Sequence, residues 1–132
     1  MLNKNYRDEE KERIDAQLRS IMEMGHVPDE WEEIRLDLDR KLKEAVGIGL
    51  DEMENLPEEK LMEILANLDL EFSHYEALGD ILLNSIELEA EEKQNDLAQK
   101  TLLIYKAAQE VSRTFSFSLT QKINEARSWI DD

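Results

Sequence analysis

Apolar side chains recur every three or four residues along almost the whole of this chain, and its few glycines and prolines fall where that rhythm breaks. A repeat near 3.6 gathers apolar groups on one face of an α-helix, whereas a half-buried strand needs strict alternation. No segment alternates convincingly, and four glycines with two prolines are too few for the turns of an all-β fold. The pattern predicts an all-α protein, a helical bundle in which residues 1–132 form one domain.

The breaks divide the chain into helices. Over residues 7–24, Ile14, Leu18, Ile21 and Met22 make a narrow stripe on an otherwise charged helix, ended by GHVP. Pro28 opens a second helix, with Asp29 and Glu30 where the macrodipole favours acid and a stripe of Trp31, Ile34, Leu38, Leu42 and Ala45. GIG (Gly47 to Gly49) ends it and is the expected hinge between an N-terminal helical section, 7–47, and a second section, 50–132. A short turn and a helix begun by Pro57 follow, the latter lined by Leu61, Ile64, Leu65 and Leu68. Ser73 and Glu76 form a predicted capping box, with Phe72 and Ala77 as its hydrophobic staple. The next helix carries Tyr75, Leu78, Gly79, Leu82 and Ile86 on one face. After a polar EAEEKQND link, a helix over 96–112 is apolar nearly all round and is expected at the centre of the fold. A second box, Ser118 with Gln121, is expected to start the last helix, which buries Leu119, Ile123, Ala126 and Ile130.

Charge and residue usage narrow the function. Sixteen basic against 32 acidic side chains leave a formal charge of −16. The excess is even, with ten basic against 20 acidic residues in 1–70 and six against 12 in 71–132. Such a surface repels nucleic-acid phosphates and anionic membranes and attracts a basic protein or peptide. There is no cysteine, which rules out disulfides and thiolate chemistry. With no apolar run near the ~20 residues of a membrane span and no apolar leader at its start, the chain is expected in the cytoplasm.

Few motifs carry chemistry. Both histidines lie in Glu-x-x-His patterns, Glu23 with His26 and Glu71 with His74, as in carboxylate-bridged di-metal bundles. A helix end at Gly25 and a helix start at Ser73 interrupt the two pairs, so surface or capping roles are expected. The glycines at 25, 47, 49 and 79 are scattered, with no phosphate-binding loop and no nucleophile elbow.

Two resemblances converge on HYEALGDILLNS, His74 to Ser85. YEALGDILL resembles the EELGDLL segment of the all-α, MazG-like nucleotide pyrophosphohydrolases. That likeness implies magnesium held by carboxylates of this helix and of an upstream Glu-x-x-Glu pair, here Glu30 and Glu33. Three residues before Asp80 stands Ala77, and the glutamate is displaced to Glu76. The same residues also resemble a tetratricopeptide repeat: Tyr75, Leu78, Gly79 and Leu82 match its first helix, and Tyr105 with Ala108 its second. The spacing from Tyr75 to Tyr105 exceeds the standard repeat, so longer helices are implied. The TFSFSLTQKI segment is similar to the C-terminal segment of small uncharacterised bacterial proteins with such hairpins.

The expectation is therefore a helical bundle with a tetratricopeptide-like hairpin and a closing helix, acting as a non-enzymatic adaptor without cofactor or metal. Tyr75, Leu78, Gly79, Leu82, Tyr105 and Ala108 are its packing residues, and Phe115 and Phe117 plug the hairpin or form a partner surface. The alternatives are the magnesium-dependent hydrolase and a dimer built through the helix of residues 7–24.

Overall fold

A computed structural model describes residues 2–24, 30–113 and 116–130, with the backbone alone for residues 2–7. Seven helices and no strand occur among them: α1 (Leu2–Met22), α2 (Trp31–Val46), α3 (Leu50–Asn55), α4 (Glu58–Ala66), α5 (Phe72–Ile86), α6 (Glu91–Ser112) and α7 (Phe117–Ser128). The all-α bundle expected from the sequence is the architecture found. The GHVP stop, Asp29 and Phe115 lie outside the described residues.

The narrow stripe of α1 is covered within the chain except at Met22, which is exposed. Ile14, Leu18 and Ile21 are buried, and α1 packs on α2 and α5. Arg13 reaches across to donate to the Glu44 carbonyl at 2.9 Å, tying α1 to the C-terminal half of α2. On α2, Trp31, Leu38, Leu42 and Ala45 face inward, while Leu36 is left on the solvent side.

GIG forms a tight corner. Gly47 caps α2 in the left-handed region at φ 89°, with its N–H on the Lys43 carbonyl. Gly49 lies against Asp39, whose carboxylate accepts from the Asp51 amide at 3.0 Å. Ile48 and Leu50 on either side of Gly49 are buried, while Gly47 is exposed.

α5 and α6 form the centre. They pair along their length, and α6 also meets α3, α4 and α7. α6 is 22 residues long, about 33 Å at 1.5 Å per residue. It begins at Glu91, not near Asp96: the polar segment expected as a link is its first turn, where Glu91 and Glu92 suit the positive end of the helix dipole. Leu97, Ala98, Ile104 and Ala108 are fully buried, each large side chain contributing on the order of 1.5–3 kcal/mol of hydrophobic stabilisation. Leu68, expected inside, lies beyond the end of α4 and is exposed.

Both predicted capping boxes shift by two residues. α5 starts at Phe72 with Glu71 as its cap, and the Glu71 N–H donates to His74 Nδ1 at 3.0 Å. Ser73 faces solvent, whereas His74 is buried and its ring can turn back onto the cap. α7 starts at Phe117, because Ser116 is extended and its hydroxyl accepts from the Leu119 N–H at 3.2 Å.

Candidate functional site

The helices α5, α6 and α7 meet around the glycine that the sequence singled out. A β-carbon on Gly79 would sit 2.5 Å from Cε1 of Tyr105, so the aromatic ring occupies the space the glycine leaves. Tyr105 is fully buried, and its hydroxyl donates to Asp80 Oδ1 at 2.6 Å. From α7, Lys122 donates to Asp80 Oδ2 at 3.0 Å and to Glu76 Oε2 at 3.2 Å. Glu76 and Asp80, four apart on α5, thus share one ammonium group.

The electrostatics follow from this closure. Burial, reinforced by the adjacent Asp80 carboxylate, pushes the Tyr105 phenol far up, so it stays a donor. Partial burial works against the charge on Lys122, but Asp80 and Glu76 outweigh it and raise its pKa. Tyr75, Leu78, Leu82 and Ala108 are buried around the same helix pair. Phe117, at the first turn of α7, is 77% exposed, and Val111 in the last turn of α6 is 46% exposed.

His74 and Glu71 are brought together, while His26 lies outside the described residues. His74 Nδ1 accepts the Glu71 amide, and Nε2 faces two acceptors, the Lys11 carbonyl at 3.1 Å and Asp15 Oδ1 at 3.2 Å. Those partners hold the ring in its Nε2–H tautomer and use both nitrogens. The shallow depression beside it, of about 240 Å³, is bordered by Asp8, Lys11, Glu12 and Asp15. Glu30 and Glu33 are exposed at the start of α2. Among the described residues, no three histidine or carboxylate groups are placed to hold a metal ion.

No family model, curated protein or solved structure matches the chain.

A second cluster escaped the sequence reading. Glu89, between α5 and α6, accepts on Oε1 from Trp31 Nε1 and from Arg35 Nε, both at 2.9 Å. The same guanidinium donates through Nη2 to Glu54 Oε1 of α3. Lys100 of α6 is 2% exposed and donates to the Glu54 carbonyl and to Asp96, each at 2.8 Å. Burial works against the Arg35 charge, yet Glu89 and Glu54 raise its pKa. Trp31 and Glu89 are 58 residues apart, so no local motif links them. One signal was available: Glu54 follows Leu50 by four residues, which puts a carboxylate on the apolar stripe of α3.

Chemically, the first cluster is an ion network in which both Asp80 oxygens and one Glu76 oxygen are committed to an ammonium and a phenol. The second is a buried carboxyl pair fastened by a guanidinium. On α6 and α7, Val111 and Phe117 are the exposed large apolar side chains.

Proposed function

We propose that the chain is a non-enzymatic interaction module in which α5 and α6 act as a tetratricopeptide-like hairpin closed by α7. Its partner is a basic protein or peptide segment carrying an apolar anchor, docked at the α6–α7 corner over Phe117 and Val111. The observation that carries the reading is that Lys122 bonds both Glu76 and Asp80, so its ammonium stands where a hydrolase would need a magnesium ion. Phe117 supports the docking surface through its exposure, and the charge of −16 supports a basic partner through long-range attraction. A cytoplasmic setting belongs to the same proposal.

Two measurements test it. Calorimetric titration of magnesium or manganese, with a nucleoside triphosphate panel and a pyrophosphate assay, is expected to be silent. Stoichiometric metal binding with turnover would overturn the reading in favour of the hydrolase. On an array of lysine- and arginine-rich amphipathic peptides, Phe117→Ser is expected to weaken binding at least about tenfold while leaving helicity unchanged. Equal binding by the variant would remove this corner as the docking surface.

A further inference from the structure

Glu54 and Glu89 are buried, their side chains 5% and 3% exposed, and one oxygen of each is held by Arg35. Their other oxygens, Oε2 of both residues, are also buried and have no N–H or O–H partner. Because one guanidinium holds both, through Nε to Glu89 and Nη2 to Glu54, the two carboxyl groups are brought side by side. Two carboxylates held side by side repel, and neither has a hydrogen to donate; one added proton supplies the donor and removes one charge. We propose that Glu54 and Glu89 share a single proton at neutral pH, an acid–carboxylate pair that fastens α3 to the α5–α6 corner beneath Arg35.

The surrounding charges agree with one proton. From α2 comes Arg35; from α3, Asp51 lies 3.7 Å from its guanidinium; from α6, Lys93 lies 3.9 Å from Glu54. Lys100, also on α6, is balanced by Asp96. With both glutamates ionised, Arg35 and Lys93 face three carboxylates; with one protonated, they face two, and the cluster is neutral. A divalent cation in place of the proton would sit against Arg35 with only two carboxylate ligands, too few for an oxygen-rich shell.

Within the shared pair the electrostatics lean the proton toward Glu54. Burial, then the neighbouring Glu89, raises its pKa from 4.5 to about 8. Burial also works to raise Glu89, but hydrogen bonds from Glu54, Arg35 and Trp31 bring it below its ordinary value. Between pH 4.5 and about 8 the folded chain therefore holds a proton that the unfolded chain releases. The stabilisation is complete below pH 4.5 and is lost as pH rises through that window, with the folding constant falling about tenfold per unit. Glu89 acts in the opposite sense, and only below 4.5.

The test compares urea unfolding of the wild-type chain and Glu54→Gln at about pH 5.5 and 7.5. The amide keeps a donor toward Glu89 and cannot ionise. The variant is expected to gain about 100-fold in folding constant relative to wild type between the two pH values. Parallel profiles would overturn the proposal, because a bridging water would leave both chains with the same dependence. Infrared difference spectra of the folded wild-type chain give a second readout that does not rely on the variant folding. A protonated-carboxyl band present at about pH 7 and gone by about pH 9.5 is expected; its absence at pH 7 would overturn the shared proton. Stoichiometric magnesium binding that is lost in Glu54→Gln would overturn it in favour of a cation.

Discussion

A glycine inside a helix costs about 1 kcal/mol relative to alanine, so Gly79 needs a packing reason to be there. The Tyr105 ring supplies one, since it fills the missing β-carbon's place and is pinned by its hydroxyl to Asp80. The ring is buried and cannot step aside cheaply, so overpacking outweighs the propensity gained. Gly79→Ala is expected to lose up to about 2 kcal/mol, from the ~1–3 kcal/mol of an overpacked core less the ~1 kcal/mol helix gain. Urea denaturation measures it, and a Tyr105→Leu background should reverse the sign. A net gain in the wild-type background would mean that the ring yields. The glycine's role was legible because it interrupts an apolar stripe. Its partner was legible only as an aromatic on a later helix, since nothing in the sequence says which atoms of α6 come to rest over position 79.

The element scale separates what propensity decides from what neighbours decide. Stripes on α2, α5 and α7 appear where their spacing puts them, because a helix's inward face is a local property of the chain. Helix starts are less local. SLTQ satisfies the capping pattern as well as any segment, yet α7 begins two residues earlier on Ser116. Ser116→Ala is expected to cost about 1 kcal/mol and to fray the first turn of α7. Faster amide exchange at Leu119, whose N–H the Ser116 hydroxyl accepts, is the specific readout. Unchanged exchange there would assign the cap to another group. At the other shifted start, the buried His74 ring bonds the Glu71 amide and the Lys11 carbonyl, so an α1 residue helps decide where α5 begins.

At the scale of the whole molecule, a charge of −16 makes folding work against self-repulsion. Ion pairs on the surface offset little of it, since exposed pairs are worth about 0–1 kcal/mol. Raising ionic strength from about 0.01 to 0.15 M shortens the screening length from about 30 to 8 Å, and the melting temperature is expected to rise. Differential scanning calorimetry over that range checks it; a fall would mean that attractive pairs outweigh the net charge.

The sequence by itself determined that the chain is helical, where most helices lie and which faces turn inward, because periodicity and helix breaks act over a few residues. Tertiary structure alone decided that Lys122 closes over Glu76 and Asp80. It also decided that Glu54 and Glu89, two of 32 acidic residues, are buried together under Arg35. Those pairings join residues 19 to 54 positions apart. Coulombic and hydrogen-bonding partners are chosen by distance in space, which a one-dimensional pattern of like charges does not specify.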